Sequence, residues 1–261
     1  MSVEARIEGA GVVGPGLASW DATRRILAGN APYAPGATKI PAPESLPAVE
    51  RRRAGTTVRL ALAAGLAAVA DAGRSAAELA AVFASSTGDG DNLHAICETL
   101  ASGDPLISPT RFHNSVHNAP SGYWGIATGA RHAADSLAAF DASFGAGLLE
   151  AAARLRADPR VGVLLIAYDA PYPEPLHATR AIPDSFGVAL VLGASERGVP
   201  IRIELVDDAH DTLDDPALES LRRSIPAARA LPLLAALARG KGRVVIEYLD
   251  DLSIAVTVGD R

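Results

Sequence analysis

Phe140-Asp141-Ala142-Ser143-Phe144-Gly145-Ala146-Gly147 is the stretch on which the reading of this chain turns. Residues 136–140 before it read as a short strand, and the Ala- and Leu-rich run of residues 146–157 after it reads as a helix. Between them lies a turn of small residues centred on Ser143. Strand, turn and helix in this order form the repeating unit of layered α/β proteins, and the turn residue is presented at the N-terminus of the helix. Ser143 has two readings there. It is a small residue that caps the helix and lets it dock closely, or it is a nucleophile. The second needs an adjacent base, because a hydroxyl gains no ionisation comparable to that of a cysteine thiol at a helix N-terminus. The Gly-x-Ser-x-Gly elbow of serine hydrolases is incomplete: Gly145 is in place, but Asp141 stands two residues before Ser143.

The same alternation extends outward. Arg6 to Val13 reads as a strand running into Gly14-Pro15-Gly16, and Ser19 or Asp21 caps a helix through about Ala28. Pro32, Pro35, Pro41, Pro43 and Pro47 are too closely spaced for a helix or central strand, so residues 29–50 read as an extended loop. Thr56 or Thr57 is expected to cap a helix over 58–72 that Gly73 ends. Its stretch Leu60–Ala70 is the longest apolar run and falls short of the roughly 20 residues a bilayer span requires. Further strands are expected at residues 80–85, 161–168 and 187–193, a helix at 92–100, and a terminal hairpin from 243–248 and 253–258. Residues 108–124 are polar, turn-prone and aromatic, and lead into a small-residue helix. Strands separated by helices at this spacing predict an α/β fold with a mixed, mostly parallel sheet and helices on both faces. All 261 residues are expected to form one domain.

Composition narrows the function. The chain is 49% apolar and only 5% aromatic, which points to a core of Ala, Leu and Val. A net charge of -6 argues against a phosphate-backbone binder, so no nucleic acid partner is expected. Cys97, the single cysteine, cannot form an internal disulfide and reads as a structural thiol within a helix. With no basic start followed by an apolar run, a cytoplasmic location is expected. His113 and His117 are four residues apart, yet Pro109 and Pro120 bracket them and no Glu completes a ligand pattern. A packed loop histidine is preferred to a metal ligand, with His117 beside Asn118 also a candidate to line a ligand tunnel. Gly14-Pro15-Gly16 and Gly88-Asp89-Gly90 lack the remainder of a nucleotide fingerprint, and no cofactor is expected. Arg51-Arg52-Arg53 reads as a solvated surface feature, or else as a contact for a carrier protein.

Taken in order, Gly9-Ala10-Gly11-Val12-Val13-Gly14-Pro15-Gly16, the helix of residues 53–73, Ser85-Ser86-Thr87-Gly88, Ser108-Pro109 and Asp141-Ala142-Ser143 resemble the N-terminal half of a β-ketoacyl synthase of the thiolase superfamily. The runs at 115–124 and 143–150 are similar to a short branch of that family, the chain length factors of aryl polyene and related polyketide-like pathways. The resemblance covers about residues 5–195 and, more weakly, the last strands of the short extension 196–261. It implies a thiolase-like layered fold and a heterodimer with an active β-ketoacyl-ACP synthase, with an acyl carrier protein as a further partner.

Two departures limit what the resemblance carries over. Ser143, or with an alignment slip Asp141 or Ala142, stands where the family has its nucleophilic cysteine. The family's second half supplies two catalytic histidines, whereas His210 is the one histidine after residue 195. The resemblance therefore implies a subunit with no catalytic residue of its own, acting in polyketide or fatty acid biosynthesis. It also implies that the segment 112–124 lies against the partner's acyl pocket, with Phe112, Val116, His117, Asn118, Tyr123 and Phe144 at the pocket or interface. Bulk at 116–118 or at Tyr123 would then limit chain length. Each buried methylene is worth about 0.8 kcal/mol and overpacking costs about 1–3 kcal/mol, so one side chain can reverse the preference for a further extension. Two other functions compete: a serine acyltransferase or hydrolase built on Ser143, and a purely structural partner of the synthase.

Overall fold

Val163-Leu164-Leu165-Ile166-Ala167-Tyr168 is apolar at every position, the pattern of a strand covered on both faces. In the computed structural model, which describes residues 2–259, it forms most of the strand Gly162–Asp169. Its side chains divide by parity: Val163, Leu165 and Ala167 enter one core, and Leu164, Ile166 and Tyr168 enter the other. The layered α/β architecture follows from this division.

In chain order the elements are β1 (Ser2–Val13), α1 (Trp20–Leu27), α2 (Ala48–Arg53), α3 (Thr56–Ala72), β2 (Leu79–Ala84), α4 (Gly90–Ala101), α5 (Pro109–Asn114), α6 (Ala119–Thr128) and β3 (Ala134–Leu137). They continue with α7 (Ser143–Ala157), β4 (Gly162–Asp169), α8 (Leu176–Thr179), β5 (Phe186–Gly193), β6 (Val199–Val206), α9 (Pro216–Ser224), α10 (Leu231–Arg239), β7 (Gly242–Leu249) and β8 (Leu252–Val258). The eight strands make one sheet in the order β3-β2-β4-β5-β1-β6-β8-β7. Helices α3 and α6 pack on one face, and α7, α10 and the turn Pro226–Ala230 on the other.

The sheet is mixed, with helices on both faces, as the sequence predicts, but its parallel part is smaller than expected. Only β2 with β3 and β2 with β4 run parallel, and the other five ladders are antiparallel. A helix between two strands signals a parallel crossover only when those strands become neighbours. Here β1 inserts between β5 and β6 and runs antiparallel to both. Strand β6 and helices α9 and α10 were not anticipated. Pro200 masks β6, yet it sits at the second residue of the strand, where a missing N–H is tolerated.

Strand β1 depends on a bulge. Ile7 pairs with Leu192 and Gly9 with Val191, so Glu8 is the extra residue. The insertion shifts the parity, and Ala5, Ile7, Ala10 and Val12 all reach the same core although two are odd and two even. The Glu8 carboxylate is satisfied by Arg74 at 2.8 Å and by the Ser195 hydroxyl at 2.8 Å.

Helix ends differ in detail from expectation. Ser19 caps α1 by accepting from the Ala22 N–H. At α3 the N-cap is Gly55 and not a threonine, and Thr56 and Thr57 lie inside the first turn; Gly73 ends the helix as expected. Cys97 lies on α4 but is exposed, so it does not serve as a core thiol. No described helix is long and apolar enough to cross a membrane.

Helix α3 lies directly on the β1 backbone. A Cβ on Gly11 would stand 2.2 Å from the Ala64 carbonyl oxygen and 2.7 Å from the Ala68 nitrogen, both backbone atoms that cannot swing aside. Gly11→Ala is expected to lower stability by about 3 kcal/mol or more, seen as a reduced urea midpoint. Gly36→Ala, where an added Cβ meets nothing within 4 Å, is expected to leave the midpoint unchanged.

Candidate functional site

The turn that joins β3 to α7 has the expected length but lies about three residues earlier than expected. Strand β3 ends at Leu137, residues Phe140–Ala142 form a single 3₁₀ turn, and the helix already begins at Ser143 with Ala142 at the N-cap. Ser143 is therefore not the cap. Its buried hydroxyl accepts from the Ala139 N–H at 3.0 Å and donates to the Phe140 carbonyl at 2.7 Å. The proton a base would take is spent inside the turn, and no histidine is bonded to the oxygen. Close docking, the other half of the structural reading, holds at Gly147. A Cβ there would approach Leu165 Cδ1 at 2.8 Å and Ala84 Cβ at 2.9 Å.

Phe140 has φ of 50°, a left-handed conformation that costs a non-glycine residue about 1–3 kcal/mol. The Arg180 guanidinium lies 3.5 Å over its ring. Arg180 also donates from Nη2 to Asp141 Oδ1 at 2.5 Å, and Arg229 donates from Nη2 to Asp141 Oδ2 at 3.2 Å. Both oxygens of the carboxylate beside Ser143 are thus held by guanidinium groups. Arg229 continues to Glu247 at 3.2 Å, and Glu247 to Arg222 at 3.1 Å. His210 stands 3.9 Å from Glu247, on the wall of an open cleft of about 1140 Å³ that also includes Phe140, Asp141 and Ala142.

Beneath this turn lies Asp169, which sequence reading missed. Its fully buried carboxylate accepts from the Ser86 N–H at 2.8 Å and the Ser86 hydroxyl at 2.6 Å. The Ser85 hydroxyl adds a longer bond at 3.4 Å, and the Ala227 N–H donates to the second oxygen at 2.8 Å. Burial pushes the group up to about 6, against the lowering effect of these donors and of Arg180. The sequence signal was a lone acid closing the apolar run of β4.

The segment 108–124 is a pair of short helices, with proline in the first turn of each. Asn114 is buried between them; its side-chain amide donates to the Arg53 carbonyl at 2.8 Å, and its oxygen accepts from the Tyr123 hydroxyl at 3.1 Å. His113 ends α5 and meets the edge of the Tyr123 ring, while His117 lies beyond the helix end, so the two do not share a helix face. His117 is half-buried, with Nε2 3.3 Å from the Ser85 carbonyl; a carbonyl can only accept, so Nε2 carries the proton.

The six residues expected at a pocket or interface thus fall into separate places. Phe112 and Val116 are 69% and 53% exposed, and Asn118 is also exposed. Tyr123 and Phe144 are each 1% exposed and fill opposite cores. His117 bridges to the Ser85–Ser86 turn, which Asp169 organises from below.

A mixed eight-stranded sheet between two helical layers defines a thiolase-like layered fold. The chain belongs to the β-ketoacyl synthase family: residues 22–249 match the beta-ketoacyl synthase N-terminal domain. Among solved structures it is similar to a chain in the complex of a ketosynthase with its chain length factor from Xenorhabdus doucetiae. That match has a TM-score of 0.74 and 23% identity over 97% of this chain and 98% of the other. It is also similar to a chain of the ishigamide ketosynthase/chain length factor, with a TM-score of 0.70 and 14% identity over 98% and 99% of the two chains. A third likeness is to a chain in the complex of a type II polyketide synthase acyl-carrier protein with its ketosynthase bound to the hexaketide, with a TM-score of 0.74 and 11% identity over 100% of each chain. At these identities the likenesses establish the fold. No curated protein matches the sequence significantly.

Asp169 yields a pH prediction. Its carboxyl lies near 6 in the folded chain against an ordinary 3.8, so between those values the folded state binds a proton that the unfolded state does not. Its contribution to stability is greatest below 3.8 and is lost as pH rises through about 6. Urea titrations at pH 4 to 7 are expected to show the wild type gaining on Asp169→Asn as pH falls, by up to about 3 kcal/mol.

Proposed function

We propose that this chain is a non-catalytic ketosynthase-like subunit, a chain length factor, which pairs with an active β-ketoacyl-ACP synthase and shapes its acyl pocket in an aryl polyene or related polyketide or fatty acid pathway. One observation carries the reading. At the turn where the family holds its nucleophile, the Ser143 hydroxyl is consumed by two bonds within the turn, and both oxygens of the neighbouring carboxylate are held by arginines. Such a site has neither a thiolate nor an activated hydroxyl to receive an acyl group.

The surface supports a pairing role. Six of the eleven exposed large apolar side chains lie between residues 93 and 126: Leu93, Leu100, Leu106, Phe112, Val116 and Ile126. Leu93 and Leu100 are two turns apart and so share one face of α4. Helix α6, which carries Ile126, packs beside β3, an edge strand hydrogen-bonded on one side only. Apolar groups gathered beside an open strand edge are a surface that a partner subunit covers. Phe112, Val116 and Asn118 are the exposed residues available to meet the partner's acyl pocket, with His117 behind them. An acyl carrier protein would dock on the assembled pair, and the site of this chemistry would be cytoplasmic.

Co-expression with the partner synthase, followed by mass determination of the complex and analysis of carrier-bound products, tests the reading. A 1:1 complex that elongates only when both chains are present is expected; a lone homodimer acylated at Ser143 overturns it. Ser143→Ala is expected to keep pathway activity within about twofold, because it removes two hydrogen bonds within the turn and not a nucleophile. Against a purely structural role, Val116→Trp is expected to shorten the products by at least one extension and Val116→Ala to lengthen them, with complex formation unchanged. Products of unaltered length in both variants would assign the chain a structural role alone.

A further inference from the structure

On the other side of the Asp141 carboxylate from the large cleft is a small cavity of about 180 Å³, lined by Phe140, Asp141, Arg180, Ala181, Ile182, Arg223, Ser224, Pro226 and Arg229. Three arginines and one carboxylate line it. The Asp141 carboxylate is shared between Arg180 and Arg229, and Arg229 also meets Glu247, which lies outside this lining. Arg223, in the last turn of α9, has no hydrogen-bond or ion-pair partner among the described residues. Each guanidinium carries five N–H donors, and Arg180 uses one of its donors on Asp141 and lays its plane on Phe140. The lining therefore holds more positive charge and more donors than its own carboxylate satisfies, in a protein whose net charge is -6.

We propose that this cavity binds a phosphoryl group. Guanidinium forks match the oxygens of phosphate, with charge-assisted bonds about twice as strong as neutral ones. Ala181, Ile182 and Pro226 add apolar atoms to the rest of the wall, beside Ser224. The small cavity shares Phe140, Asp141 and Arg229 with the 1140 Å³ cleft. A phosphate ester can thus seat its phosphate among the arginines and extend a polar tail along the cleft, where Asp207, Asp208 and His210 offer hydrogen-bonding partners. This site is independent of the chain length factor reading: it needs neither a partner subunit nor an acyl chain.

Titration calorimetry and phosphorus NMR at constant ionic strength, with inorganic phosphate and with ribose 5-phosphate as probes, test the proposal on the full chain. Both probes are expected to bind saturably, and Arg223→Ala, an exposed position whose loss leaves the Asp141 pairs intact, is expected to weaken binding about tenfold. Arg180→Gln is expected to weaken it further. Tighter binding of ribose 5-phosphate than of phosphate assigns the site to phosphate esters, and equal affinity assigns it to the free ion. Absence of saturable binding, or affinity unchanged in Arg223→Ala, overturns the proposal.

Discussion

The buried carboxylate of Asp169 holds together the loops at one end of the sheet. It terminates β4, receives the Ser85–Ser86 turn that follows β2, and receives the Ala227 N–H from the turn before α10. Four donors converge on one side chain in a place where each would otherwise lose its water without replacement. Burial lifts the carboxyl toward neutrality, and the converging donors offset only part of that cost. His117 reaches the same Ser85–Ser86 turn through the Ser85 carbonyl, so the segment 108–124 is positioned from the same anchor.

The turn at Phe140–Ser143 joins β3 to α7 and is held by its own hydrogen bonds and ion pairs. A helix N-terminus points at it, and the φ of Phe140 is strained. What occupies the turn is a carboxylate clamped by Arg180 and Arg229. These pairs are partly exposed, with Arg180 and Arg229 side chains 20% and 11% accessible. Each pair alone adds little to stability, but their shared geometry fixes where the charges stand. The ion-pair chain from Asp141 to Glu247 and Arg222 joins the turn to β7 and α9, elements of the C-terminal third. Those elements therefore complete the turn's surroundings, and both lie within the residues that match the family domain.

Apolar side chains are distributed unevenly between the interior and one stretch of the surface. Inside, α3 comes close enough to β1 that Gly11 has no room for a methyl group, and β4 is covered on both faces. Outside, apolar side chains gather between residues 93 and 126, with Leu106 81% exposed. Ile126 among them is carried by α6, which packs beside the edge strand β3.

Much of this was legible from the sequence because period and punctuation are local. The alternation of strand and helix, Gly73 ending α3, the Ser19 cap, the terminal hairpin and the absence of a thiol at residues 141–143 all depend on neighbours within a few positions. The resemblance to β-ketoacyl synthases rested on the order of those local pieces, and the family match and the fold agree with it. What the sequence could not decide were the pairings between distant residues. The insertion of β1 between β5 and β6 made the sheet mainly antiparallel, the bulge at Glu8 reset the parity of β1, and Asp169, Arg180 and Arg229 met Ser86 and Asp141 across 83, 39 and 88 residues of chain. Local composition fixes which segments bury an apolar face, but which charges and which strand edges meet is set only when those faces pack together, and the candidate site is made of such meetings.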